Sequence, residues 1–207
     1  MSRRKICVVT SSRADYGLLF NLIQLINKDK DLVLQLVVTG SHLSHKFGYT
    51  VKEIEEDNIP IKRRVKIIGA TDSAAANVKS MGLAMTAFSK IFEELKPDLL
   101  IVLGDRFEIL AAASSALLFK IPIGHICGGE VTIGAIDDSI RHAITKMSWW
   151  HFVSTKSYKN RVVQLGEDPG RVFITGGIGL DMIAMSKNFS KTIIENKFHI
   201  KFGRENI

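Results

Sequence analysis

Short apolar runs alternate along the chain with longer stretches whose apolar residues recur at three- and four-residue spacing. The runs predict strands near Lys5–Thr10, Leu32–Thr39, Ile61–Ile67, Leu99–Leu103, Ile121–Cys127, His151–Val153 and Val172–Thr175. Between them, Leu18, Leu19, Leu22, Ile23 and Ile26, and then Met81, Leu83, Ala84, Ala87, Phe88, Ile91, Phe92 and Leu95, mark amphipathic helices. The strands are apolar at nearly every position, as in Leu99-Leu100-Ile101-Val102-Leu103, which fits burial on both faces. Pro60, Pro97, Pro122 and Pro169 each stand just before or at the start of a predicted strand, where a residue without an N–H stops the preceding helix. This alternation predicts an α/β fold, a doubly wound parallel sheet of about seven strands with helices on both faces.

A chain of 207 residues fits one large domain, or one domain plus the opening of a second. The polar stretch Ser186–Ser190 reads as a linker, and the helix-like Thr192–Phe198 follows it. With 46% apolar residues, 24% charged residues and a mean hydropathy of +0.13, the chain is too apolar for disorder and too interrupted by charge for a membrane span. The basic start, Met1 to Lys5, is followed by only a short apolar run, Ile6 to Val9, which is too brief for a signal peptide, so a cytoplasmic protein is expected. Cys7 and Cys127 lie far apart in apolar surroundings and read as buried reduced thiols, and no Cys/His spacing resembles a metal site. The net charge of +7 includes +3 from residues 187–207. The basic cluster Lys62-Arg63-Arg64 with Lys66 has no interleaved aromatics and reads as a solvated face rather than a nucleic-acid surface.

In a doubly wound sheet a ligand binds beyond the carboxyl ends of the strands. Those tips carry Ser11-Ser12-Arg13-Ala14-Asp15, Gly40-Ser41-His42, Gly104-Asp105-Arg106-Phe107-Glu108, Cys127-Gly128-Gly129-Glu130, Ser154-Thr155 and Gly176-Gly177-Ile178-Gly179-Leu180-Asp181. The turn after the first strand has no glycine, and Gly177-x-Gly179 is followed by Met182, so the dinucleotide fingerprint is missing; no P-loop occurs either. What remains is a phosphate or sugar site built on helix N-termini and an arginine. Arg13 can fork onto phosphate oxygens, or can be a plain surface arginine at a helix start. Asp105 and Glu108 have the spacing of a capping box, but Gly104 lets a ligand approach the backbone and Arg106 adjoins a carboxylate that faces the crevice. Asp137 with Arg141, and Asp138 with His142, are spaced to pair along one helix. His125, Glu130, Asp137, Asp138, Arg141 and His142 nevertheless fall within 18 residues beside a Gly-Gly loop. Paired carboxylates near a histidine suit proton abstraction from carbon and proton delivery to a leaving group.

Five ordered motifs, Ser-Ser-Arg-Ala-Asp-Tyr-Gly, Val-Thr-Gly-Ser-His-Leu-Ser, Leu-Gly-Asp-Arg-Phe-Glu, Gly-His-Ile-Cys-Gly-Gly-Glu and Ile-Asp-Asp-Ser-Ile-Arg-His-Ala-Ile-Thr-Lys, together resemble the hydrolysing UDP-N-acetylglucosamine 2-epimerases of sialic and legionaminic acid synthesis. The resemblance runs from about Lys5 to Asp181. It implies a glycosyltransferase-B-like fold whose Rossmann-like first domain is residues 1–185, with 186–207 as linker and start of a missing second domain. It also implies elimination of UDP followed by addition of water, with no redox cofactor or metal. The implied catalytic groups are Asp105, the carboxylate nearest the sugar, Asp137, the second acid/base, and with them Glu130 and Cys127. Arg13 resembles the arginine at the nucleotide phosphates, and His42, Arg106, His125, Asp138, Arg141, His142 and Asp181 are the further substrate-binding candidates. Many relatives carry a carboxylate or histidine at Cys127, where a thiol of ordinary pKa ~8.5 is a poorer proton carrier. The expected partners are a UDP-sugar and further copies of the chain, with neither nucleic acid nor membrane. Without a second domain the chain is expected to fold but to turn over little; the alternative is a non-catalytic sugar-nucleotide binding or assembly module.

Overall fold

The computed structural model describes residues 3–67, 73–185 and 189–203. In chain order the elements are β1 (Arg4–Thr10), α1 (Arg13–Lys28), β2 (Leu32–Thr39), α2 (Val51–Glu56), β3 (Ile61–Val65), α3 (Ala74–Leu95), β4 (Leu99–Leu103), α4 (Phe107–Leu118), β5 (Ile123–Ile126), α5 (Ile136–Met147), β6 (Trp150–Val153), α6 (Lys156–Gln164), β7 (Val172–Ile174), α7 (Gly179–Met185) and α8 (Lys191–Phe198). The strands form one parallel sheet in the order β3-β2-β1-β4-β5-β6-β7. The chain winds outward from β1 to β3, crosses through α3, and resumes at β4 on the other side of β1. That reversal opens the ligand crevice characteristic of such sheets, between the tips of β1 and β4.

The central strands β1, β2, β4 and β5 bury both faces over most of their length, which is why their apolar runs are continuous rather than alternating, whereas the edge strands β3 and β7 are partly exposed. In β1, Cys7 and Val9 join Phe88, Phe92, Leu100, Val102, Ile109 and Ile144 under α3, α4 and α5. Ile6 and Val8 face the opposite way and join Leu19, Ile23, Leu36, Val38 and Ile54 under α1 and α2. Burial of side chains of this size contributes roughly 1.5–3 kcal/mol each, so the two cores fix the sheet and hold the strand tips in place.

Boundaries differ from the sequence reading where backbone conformation intervenes. β5 stops at Ile126 because Cys127 adopts φ of +65°, a left-handed conformation that ends the regular ladder, although Cys127 N–H still donates to Phe152 O at 3.0 Å. Cys127 is accordingly half-buried at a tip rather than inside a strand, while Cys7 is fully buried; both are free. In the basic cluster, Arg63 pairs with Glu94 and Arg64 with Glu55 at 2.6 Å on the protein surface. Among the described residues no helix is long and apolar enough to cross a membrane. Beyond the expected linker, part of which lies outside the described residues, Ser190 caps α8 by accepting from Ile193 N–H at 3.4 Å.

Candidate functional site

The tip of β4 and the loop after β5 are tied to the head of α5. Gly104, with φ of +71°, turns the chain out of β4 so that Asp105 leaves the sheet toward α5. There Asp105 accepts a charge-assisted hydrogen bond from Arg141, whose side chain is only 6% exposed. The same guanidinium donates to Thr132 Oγ1 at 2.8 Å and to Asp138 Oδ1 at 3.5 Å. Asp138 also accepts from the Thr132 N–H at 2.9 Å, a contact that draws its carboxyl below the usual range with help from His142 and Arg141. His142 Nε2 stands 3.4 Å from Asp138. The spacing thus predicts the Asp138–His142 pair correctly. Arg141, however, turns from Asp137 to Asp105 on the neighbouring strand tip. Asp137 is left exposed in the first turn of α5, with no hydrogen-bond or ion-pair partner among the described residues.

Cys127 and Glu130 border this cluster. The Cys127 thiol is pushed up to about 12 by burial and by a hydrogen bond to the Glu130 carboxylate, with Asp105 adding to the effect and Arg141 opposing it. At neutral pH it is therefore a thiol, not a thiolate. Ser154 Oγ, at the tip of β6, donates to Glu130 Oε1 at 3.4 Å.

Two histidines expected at the substrate surface lie wholly beneath it. His125 Nε2 is 2.8 Å from Gly104 O and its Nδ1 is 3.2 Å from Thr145 Oγ1. Burial lowers its pKa to about 4, so the ring is neutral. A carbonyl only accepts, so Nε2 carries the proton and donates to Gly104 O. His42 is likewise buried, 3.1 Å from Thr10 Oγ1 and 2.8 Å from Thr50 Oγ1, and its pKa is about 4 through desolvation. Both brace the loops beneath the crevice instead of lining it.

Other candidates also stand differently from expectation. Arg13 reaches out to Glu53 on α2 at 3.1 Å and is three-quarters exposed. Asp181 lines a cavity of about 250 Å³ between α1 and α7, where Asn21 Nδ2 lies 3.4 Å from its carboxylate. The capping box does not form: Arg106 is the N-cap of α4 with no side-chain cap, and Glu108 turns back to accept from Arg106 Nε at 2.8 Å. Three contributors escaped the sequence reading. Thr132 sits in a loop with no motif of its own, Thr145 lies inside the fifth motif without being singled out, and Glu108 carried the signature of a cap.

The model of the UDP-N-acetylglucosamine 2-epimerase family matches residues 24–206. A GDP/UDP-N,N'-diacetylbacillosamine 2-epimerase (hydrolyzing) from Campylobacter jejuni is 49% identical over 205 residues, covering 99% of this chain and 53% of that protein. A UDP-N,N'-diacetylbacillosamine 2-epimerase (hydrolyzing) from Legionella pneumophila is 37% identical, covering 94% and 52%. Among solved structures, the UDP-GlcNAc 2-epimerase of Methanocaldococcus jannaschii in complex with UDP-GlcNAc and UDP has a TM-score of 0.79 at 22% identity, covering 93% of this chain and 53% of that one. The chain thus spans about half the length of the relatives it matches, and its sheet is the Rossmann-like part of their glycosyltransferase-B-like fold. With the family model over most of its length and near-complete alignment to hydrolysing relatives, the chain belongs to the UDP-N-acetylglucosamine 2-epimerase family.

Proposed function

We propose that the crevice serves a hydrolysing 2-epimerase acting on a UDP-linked 2-acetamido sugar, the 2,4-diacetamido-trideoxy form before UDP-N-acetylglucosamine. The names of the two relatives at 49% and 37% identity favour the diacetamido donor. The observation that carries the reading is the Asp105–Arg141 pair at the tip of β4, with the unpartnered carboxylate of Asp137 one helical turn before Arg141.

In the first step a base takes the C2 proton while the C1–O bond to UDP breaks, leaving a C1–C2 double bond and free UDP. In the second, water adds its hydroxyl to C1 and a proton is delivered to C2 from the opposite face, which inverts that carbon. Asp137, accessible and without a competing partner among the described residues, is assigned removal of the C2 proton, and the proton returned to the opposite face is drawn from solvent water. Asp105 is held by Arg141 in one orientation and meets the sugar as a fixed acceptor. Glu130, beside the Cys127 thiol and bonded by Ser154, is assigned the orientation of water. His142 and Asp138 hold the head of α5 in register.

Exposed Val78 and Leu83 on α3, with Leu117, Leu118 and Phe119 at the end of α4, support self-association of copies, which sedimentation checks. Two free cysteines suit a reducing compartment such as the cytoplasm. The function is tested with a chimera in which residues 1–207 replace the matching half of the Campylobacter jejuni relative. Release of UDP together with the C2-inverted free sugar supports the proposal; tight sugar-nucleotide binding without release favours a binding module.

A further inference from the structure

Three arginines flank the crevice, and they differ in what each has left to offer. Arg13 pairs with Glu53 at the surface, and Arg141 already serves Asp105, Thr132 and Asp138. Arg106 donates only its Nε, to Glu108 Oε1 at 2.8 Å; among the described residues neither of its terminal nitrogens has a protein acceptor. The two ends of this pair are unlike. Arg106 is 41% exposed at the crevice, whereas the Glu108 side chain is fully buried.

A buried carboxylate is costly unless it is paired, and Glu108 makes one such pair while its Oε2 has no partner among the described residues. The space around it is closed by the turn after β2. There Gly40 has φ of +61°, and a Cβ on it would lie 2.7 Å from Glu108 Oε1 and 2.5 Å from Ser11 O. The carboxylate is therefore held from behind by backbone, and it in turn fixes the plane of the guanidinium. Arg106 also precedes the first turn of the twelve-residue α4, whose N-terminal dipole favours an anion. Asp15 and Asp137 both act on its charge, so both carboxylates are near; Asp15 is engaged by Ser11 Oγ at 2.5 Å, and Asp137 has no hydrogen-bond or ion-pair partner among the described residues.

We propose that Glu108 is a positioning residue: it locks Arg106 by Nε so that both terminal nitrogens meet the diphosphate of the sugar nucleotide. The inference deepens the function proposed above, since it takes the crevice as the nucleotide-sugar site. It places the leaving phosphate beside Asp137, the carboxylate assigned to proton transfer.

The test is calorimetric titration of the chimera with UDP and with inorganic pyrophosphate. Each charge-assisted hydrogen bond to phosphate carries about a tenfold change in affinity. Glu108→Gln is expected to weaken both ligands about tenfold through loss of orientation, and Arg106→Lys by a similar factor, because an ammonium lacks the fork. In the Arg106→Lys background, Glu108→Gln should add less than about twofold, since it acts only through Arg106. Independent, multiplying effects, or a Glu108→Gln protein that binds UDP normally, would overturn the proposal. Should Glu108→Gln fail to fold, Arg106→Lys decides alone, and unchanged affinity for UDP and pyrophosphate overturns it. Absent turnover by the unmodified chimera would sink the epimerase reading, while the titrations would still settle the part played by Glu108.

Discussion

Replacing Arg141 with Met removes the guanidinium but keeps most of the side-chain volume. The Asp105 carboxylate then loses its partner, Asp138 loses its 3.5 Å contact, and the Thr132 hydroxyl loses its 2.8 Å donor. Breaking one side of a buried ion pair costs about 3–5 kcal/mol, because the remaining charge stays in place without compensation. Asp105 retains 21% side-chain exposure, so some water reaches it and the lower end applies, about 3 kcal/mol. For a chain of this size that corresponds to a fall in Tm of about 6–12 °C. Urea unfolding followed by circular dichroism measures it directly. A second substitution sharpens the result: Asp105→Asn in the Arg141→Met background removes the stranded charge and should recover about 1–2 kcal/mol. A loss below about 1 kcal/mol, with no recovery on adding Asp105→Asn, would show a pair of the exposed, weakly contributing kind and refute its role as the strut between β4 and α5.

Asp137→Asn, at an exposed and unpartnered position, should leave stability within about 0.5 kcal/mol while lowering turnover of the chimera by about 10²–10⁴-fold; urea melts and UDP release check the two halves separately. His42 and His125 titrate near pH 4 in the folded protein and near their ordinary 6.5 when unfolded. The unfolded chain therefore binds more protons between those values, and stability should fall as pH drops from about 6.5 to 4, by up to about 1.4 kcal/mol per pH unit for each histidine. Urea midpoints across that window test this, and His125→Asn should flatten the slope. Gly40→Ala should lower Tm, since the added Cβ meets Ser11 O at 2.5 Å in a left-handed backbone; the strain alone costs about 1–2 kcal/mol. Cys127 should react slowly with iodoacetamide at neutral pH, with a rate that keeps climbing well above pH 9, because burial and Glu130 hold the thiol protonated.

The sheet was legible because a strand buried on both faces must be largely apolar, and β4 is so throughout while β1 and β2 are so over most of their length, and the prolines mark where helices stop. The seven strands and the convergence of the β4 and β5 tips follow from that pattern. Side-chain choices at the tips were less legible, since they depend on partners distant in sequence. Arg141 has an acid at helical spacing, Asp137, yet the turn at Gly104 brings Asp105 closer, and tertiary geometry prevails over i,i+4 pairing. Glu108 satisfied the local rule for a cap, but the arginine beside it and the glycine turn after β2 enclose it instead. His125 and His42 show the same limit: composition marks a histidine as functional, and only packing reveals that it is buried and neutral beneath the loops.

The central claim, that this crevice moves a proton at C2 of a UDP-linked sugar, is tested most directly by running the chimera in deuterium oxide and examining the released sugar by proton NMR. Epimerisation by elimination and hydration leaves an inverted C2 carrying one solvent deuteron, formed in step with free UDP. Release of UDP with the original proton and configuration retained at C2 would contradict it.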